Sequence, residues 1–281
     1  MLVKLTLKRV GGLAVVAALT LWTLAALLPI VSAVLASVKT TDAITASPLG
    51  IPANPTFDNF TRAWNGPLYG VPLWKTMINS AIAVSVGVGV GVSVGTVAGY
   101  ALARNPRTLS WLNRYFVLLL TVPQIVIWVP LFSLASDLNV LSSPAALGLV
   151  YAALVIPLST VLMRTYFASF PLDLIEAAKV DGASETYALA RIVIPMSKGT
   201  IGLVALLQAI MLWNELALAV ILLLEPDSQT IPLGLTQFRS QFEVELGPQF
   251  AGLVLAIVPM IMLYLIANRR IISGMRLGSL R

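Results

Sequence analysis

Some stretches of this chain are too long and too apolar to be left in water. Residues 10–38 and 76–103 contain no charged side chain. At about 1.5 Å per residue, each is long enough as a helix to cross the roughly 30 Å hydrocarbon layer of a bilayer. The second run holds AVSVGVGVGVSVG over residues 83–95, an alternation that also fits a strand. A lone strand in hydrocarbon would leave its N–H and C=O groups unpaired, whereas a helix satisfies them internally, so the helix prevails. Composition agrees: 58% of the 281 residues are hydrophobic and 11% charged. That is the balance of an all-α, polytopic membrane protein with room for about six transmembrane helices.

Taken in order, Lys4, Lys8 and Arg9 precede the first run. That run exceeds the apolar stretch of about 7–15 residues found in a cleaved signal peptide. It therefore predicts an uncleaved first span, bent at Pro29, with a cytoplasmic N-terminus. Residues 39–72, with Pro48, Pro52, Asn54, Pro55 and Pro67, predict an external loop with some local structure. In the second span Gly87, Gly91, Gly95 and Gly99 recur every four residues and form a stripe that lets another helix approach closely. The partner is either a helix of this chain or a second subunit.

A third span is expected over residues 115–136, deformed by Pro123 and Pro130, with Gln124 either lining a polar path or repairing the hydrogen bonds the prolines disturb. Ser143 and Pro144 open a fourth span as cap and first helical residue, reaching Arg164. A fifth is expected over 199–224 with Trp213, Asn214 and Glu215 at mid-depth. A carboxylate there is costly, so Glu215 is either a pathway residue or is hydrogen-bonded to a neighbouring helix. Residues 225–249 are too polar to span and form an outer loop whose apolar island IPLGL, 231–235, predicts that part of it either dips back or packs on the bundle. The last span is 250–268, interrupted by Pro259. The chain thus divides into an N-terminal helix and loop, 1–71, a five-helix core, 72–270, and a tail, 271–281.

Charge sorts by side on this scheme. Of the 18 basic residues, all but Lys39, Arg62, Lys75 and Arg239 fall on one face, which the positive-inside rule assigns to the cytoplasm together with both termini. There are no cysteines and no histidines, which removes disulfides, thiolate chemistry and imidazole-dependent catalysis. Nor is there a G-x-x-x-x-G-K-[ST] loop, since Lys198 follows Met196 and Ser197 with no glycine frame. The chain is therefore expected to be no enzyme and to hold no cofactor or metal; any ATP and Mg would be bound by another chain. The net charge of +6 orients the protein in lipid and does not call for nucleic acid.

One polar stretch, residues 176–195, interrupts the apolar runs on the cytoplasmic side. Pro171 is placed for a first helical turn, with Asp173 and Glu176 complementing the helix dipole and Leu172, Ile175 and Lys179 at helical spacing. Gly182 suits a left-handed C-terminal cap, and Ser184 caps a second helix from Glu185 to near Pro195. Two short helices at a glycine corner result, with Ala177 and Ala178 exposing backbone for close contact. The same pattern would also serve a hairpin lying on the membrane surface.

The series Glu176, Ala177, Ala178, three residues, Gly182, nine residues, Ile192, one residue, Ile194, Pro195 closely resembles the EAA loop of ABC-importer permeases, with Ile194 where leucine is usual. The likeness extends beyond residue 72, through Asp181, Gly182, Ala183 and Ser184, the Trp213–Leu216 stretch, IPLGL and the segment 274–278, to the MalG-type subunits of carbohydrate importers with a MetI-like fold. The tail, GMRLGSLR, departs from that family's usual form and argues against a tail contact with the ATPase. The resemblance implies one half of the pore of a binding-protein-dependent sugar importer in the inner membrane of a prokaryote. It further implies a related second permease, making a heterodimer, two ATP-binding subunits and an external solute-binding protein. The coupling residues would be Glu176, Ala177, Ala178, Asp181, Gly182, Ala183 and Ser184. Sugar would pass Gln124, Tyr151, Trp213 and Asn214. A competing reading is an ion-coupled secondary transporter using Glu215, against which the lack of visible inverted repeats counts.

Overall fold

A computed structural model of the chain describes residues 2–67, 70–171, 173–239 and 244–278, with side chains described between 15 and 267. Leu172, Glu243 and the side chains of the basic termini lie outside the described residues. Helices account for nearly all of it, and among the described residues the only β pairing is an isolated bridge between Arg239 and Val244. In chain order the helices are α1 (Leu2–Ser37), α2 (Thr41–Ala46), α3 (Asp58–Asn65), α4 (Leu73–Arg104), α5 (Ser110–Leu119), α6 (Trp128–Asp137), α7 (Pro144–Ala168), α8 (Asp173–Val180), α9 (Glu185–Ala188), α10 (Ile194–Met196), α11 (Lys198–Trp213), α12 (Ala217–Leu222), α13 (Ile231–Gly234) and α14 (Leu246–Gly278). They fall into two compact units, residues 1–69 with 235–256, and residues 70–234 with 257–281.

The larger unit is organised by α4 and α7. A Cβ added to Gly87 would lie 2.8 Å from Tyr151 Cβ, to Gly91 2.7 Å from Val155 Cγ1, to Gly95 2.5 Å from Ser159 Cβ, and to Gly99 2.8 Å from Met163 Cβ. Each turn of one helix thus meets one turn of the other with no room for a side chain, and Gly148 of α7 answers with the same closeness to Val86. The glycine stripe is a seam within this chain.

Residue numbers rise together along that seam, so α4 and α7 are parallel. Two parallel spans require one crossing between them, and the α5–α6 segment supplies it although bent by 91°. Leu212 of α11 lies against Gly87, and Gln208 bonds Ser159, so α11 runs antiparallel to both. Among the described residues four helical stretches are long and apolar enough to span a membrane, or up to six if each of two bent pairs is one span.

Two of the expected spans are broken. Residues 115–136 do not form one deformed helix: α5 ends at Leu119, a 3-10 turn covers Gln124–Ile127, and α6 restarts at Trp128. Pro123 explains the break, since it has no N–H to give and pushes the preceding residue out of the helical region. The fifth span breaks at Asn214, where α11 stops and α12 begins three residues on. Other expectations hold. Ser143 Oγ accepts the Ala146 N–H and Pro144 opens α7. Ile231 is buried, its N–H bonded to Ser80 Oγ, so residues 231–234 of the IPLGL island do pack on α4. α1 continues through Pro29 as helix, and α14 continues to Gly278, through most of what reads as a tail.

The smaller unit is pinned by Asn59, whose Nδ2 donates to Ser37 O at 2.9 Å and Lys39 O at 2.7 Å. Lys39 itself is buried and donates to Ser47 O. Ala63, Phe238 and Ala251 form a small core with Phe60, Leu235 and Leu255, and Arg62 pairs with Glu245 beside it.

Candidate functional site

The glycine corner is built as the sequence pattern asks, with one change: α8 begins at Asp173, so Pro171 precedes the helix and is not part of its first turn. Ala183 N–H bonds Ala178 O at 2.9 Å and Gly182 N–H bonds Lys179 O at 3.0 Å. This pair of bonds is a Schellman cap, and it requires the left-handed residue that Gly182 supplies with φ 85°. Ser184 then caps the next helix, its Oγ accepting the Tyr187 N–H. That helix runs on past Ala188 through a π turn, Leu189–Val193, into α10, and meets α11 at 73°.

Exposure separates the faces of the corner. Ile175, Ala188 and Val193 are buried and form its inner side. Leu174, Ala177 and Val180 lie three residues apart on the outer face of α8, and Val180 is 88% exposed. Glu176, Asp181, Gly182, Ser184 and Tyr187 are exposed as well, while Ala178 and Ala183 are half-buried. The outer face thus offers a short apolar strip with a polar rim.

A carboxylate that the sequence did not single out ties the corner in place. Glu185 Oε1 accepts from Tyr100 Oη at 2.6 Å and from Arg104 Nε at 3.2 Å, and Oε2 pairs with Lys179 Nζ. The lysine bond first, then the tyrosine bond, pulls the Glu185 carboxyl down to about 2, so it is ionised at any physiological pH. These side chains line a cleft of about 400 Å³ with Val97, Ala101, Asn105, Thr186 and Leu189. No local signal foretells the contact, because Tyr100 and Glu185 stand 85 positions apart.

The second group of expected residues is only partly assembled. Glu215 Oε2 accepts from Tyr151 Oη at 2.8 Å, and its Oε1 accepts the Leu218 N–H at 2.9 Å. The carboxylate therefore meets the free N–H groups at the start of α12 and links it to α7, which is the structural alternative of the two read from sequence. Tyr151 is 1% exposed and Trp213 is buried, whereas Asn214 is exposed, its Nδ2 donating to Ile210 O. Gln124 is exposed in the turn after Pro123, and among the described residues its side chain repairs no hydrogen bond. The structure therefore joins Tyr151 to Glu215, and among the described residues forms no bond from Gln124 to that pair. Among the described residues no cluster of His, Cys, Asp or Glu could hold a metal.

Residues 91–277, which include the corner, the break at Asn214 and the C-terminal part of α4, match the family described as "Binding-protein-dependent transport system inner membrane component". The chain belongs to that family. This inner-membrane component is 30% identical over 268 residues to the diacetylchitobiose uptake system permease protein NgcG of Streptomyces coelicolor, covering 94% of this chain and 87% of that one. It is also 30% identical to the trehalose/maltose transport system permease protein MalG of Thermococcus litoralis, over 80% of this chain and 81% of that one. Its fold matches a chain of a bacterial ABC transporter involved in the import of the acidic polysaccharide alginate, with a TM-score of 0.76 at 22% identity, covering 93% and 96% of the two chains. The MetI-like architecture and the MalG-type likeness expected from the sequence are both borne out. The protein is a multi-pass permease component of a binding-protein-dependent ABC importer.

Proposed function

We propose that this permease forms one half of the translocation pore of a sugar importer, with a related second permease, two ATP-binding subunits and an extracytoplasmic solute-binding protein. ATP and Mg are held by the partner ATPase, and this chain performs no catalysis. The sugar class rests on the relatives that import diacetylchitobiose and trehalose or maltose. Gln124, exposed and polar, is the path residue favoured here. The charge asymmetry places the corner and both termini in the cytoplasm.

The observation that carries the reading is the outward apolar strip Leu174, Ala177 and Val180 on a helix whose end is fixed by the Gly182 cap. A strip of that kind on a polar segment is a surface for a groove on a soluble partner, and Glu176, Ala177, Ala178, Asp181, Gly182, Ala183 and Ser184 frame it. ATP-driven movement of that partner would favour one pore state over the other by differential contact, which is what coupling requires.

Gly182→Val tests this. A Cβ at this position has nothing within 4 Å, so the substitution acts only through the left-handed backbone, at about 1–2 kcal/mol. That strain unwinds the corner and leaves the bundle standing. In the reconstituted complex, transport and binding-protein-stimulated ATP hydrolysis are both expected to fall. Near wild-type values of both would overturn the docking assignment. A panel of sugars screened for thermal stabilisation of the cognate binding protein identifies the substrate.

The ion-coupled alternative is disfavoured by the three hydrogen bonds that already occupy the Glu215 carboxylate.

A further inference from the structure

Ile175, Ala188 and Val193 are buried on the inner side of the corner, but apolar packing is non-directional. Direction comes from hydrogen bonds and ion pairs. Among the described residues, every one of these that joins residues 173–196 to another span ends on the carboxylate of Glu185. The same carboxylate also closes the corner on itself: Lys179 and Glu185 stand three residues either side of Gly182 and pair across it. We infer that Glu185 is the positioning residue that makes the corner and the end of α4 move as one body, an inference that rests on the proposed docking of the corner on an ATPase.

What α4 receives, it can carry without bending. Tyr100 is buried and meets Phe167 of α7 edge-on at 5.6 Å, and the glycine seam leaves no slack between the two helices over four successive turns. At the far end of α4, Asn79 Nδ2 donates to Asp227 O at 2.9 Å and Gln229 O at 3.0 Å, and Ser80 Oγ accepts the Ile231 N–H at 2.8 Å. The rise from Asn79 to Tyr100 is roughly 32 Å at about 1.5 Å per residue, close to the ~30 Å of hydrocarbon in a bilayer. The two polar joints therefore sit one at each membrane surface, with the α4–α7 pair as the strut between them. The corner is linked through Glu185 to the loop at 225–231.

The chain has no cysteine, so Ala177→Cys on the corner and Val94→Cys on the exposed side of α4 give two unique spin-label sites. Their distance is measured in the assembled complex, nucleotide-free and after trapping with ATP and vanadate. With Glu185 in place the distance distribution should be the same in both states. In Glu185→Gln the trapped state should shift by more than the width of the nucleotide-free distribution. Tyr100→Phe removes one bond only and should shift in the same direction by less, and it decides the matter if the Glu185 variant does not assemble. A wild-type distance that changes on trapping, or variants that match the wild type, would overturn the inference. The docking reading fails separately, if the label at 177 gains no immobilisation when the ATPase joins the complex.

Discussion

Replacing Gly95 with alanine should force α4 and α7 apart. The added Cβ would lie 2.5 Å from Ser159 Cβ and 3.1 Å from two main-chain atoms, Ser159 C and Thr160 N. Ordinary contact begins near 3.4 Å, so the helices must separate by about 0.9 Å here. Because neither helix can bend locally, Gly91 and Gly99 lose their contacts too. Overpacking of this kind costs about 1–3 kcal/mol, while alanine regains up to about 1 kcal/mol of helix propensity. Gly89→Ala supplies the control: nothing lies within 4 Å of its Cβ, so it has the propensity gain alone. The difference between the two variants in a detergent-solubilised unfolding titration should therefore be about 1–3 kcal/mol, with propensity cancelled. A second substitution sharpens the test. Ser159→Gly in the native background loses the Gln208 bond and should destabilise; in the Gly95→Ala background it removes the 2.5 Å contact and should stabilise. Coincident unfolding of Gly95→Ala and Gly89→Ala, or one sign for Ser159→Gly in both backgrounds, would refute the close parallel seam.

Tyr151→Phe leaves a carboxylate without its hydroxyl donor and should lower stability by about 1.5–3 kcal/mol in the same titration. Glu215→Gln, which keeps an acceptor for the Leu218 N–H, should cost less and leave ATP-driven transport in place; transport that follows an ion gradient and vanishes in Glu215→Gln would restore the secondary-transporter reading. Asn79→Ala strips donors from two main-chain carbonyls and should cost about 1–3 kcal/mol. Asp227→Ala, which breaks only an exposed pair with Lys75, should cost under about 1 kcal/mol.

The parts of this fold legible in the sequence are those fixed by local rules. Gly182 and Ser184 announce a Schellman cap and an N-cap because each meets a main-chain need within five residues, and both form. Uncharged runs announce spans because hydrocarbon tolerates nothing else. The glycine stripe announces a close neighbour, but not that the neighbour is α7 or that it runs parallel, since those depend on what intervenes. The Glu185 joint is further out of reach: its partners stand 81 and 85 positions away on another helix, and Arg104 reads as one more charge marking a membrane face.

The broken spans were harder to see because the same residues admit two meanings. Pro123, Asn214 and Glu215 in apolar surroundings suggest a route for a polar solute, yet at a broken helix the main chain itself needs partners. Asn214 Nδ2 takes the Ile210 carbonyl near the end of α11, and Glu215 takes N–H groups of Leu218 and Ala219 at the start of α12. At the other end of α12, the Leu222 carbonyl accepts the Ser142 N–H, and Ser142 Oγ accepts the Glu225 N–H. In hydrocarbon each such group left unmet costs several kcal/mol, so the demand is large enough to account for Asn214 and Glu215 without a solute. The short helices that follow the two breaks, α6 and α12, pack on each other. One break is met by a proline that lacks the N–H and the other by a carboxylate that receives two. A polar side chain within a span of this fold is therefore evidence of a path only after the main-chain groups beside it have been accounted for; by that test Gln124, whose side chain repairs nothing among the described residues, is a stronger candidate for the proposed path than Glu215.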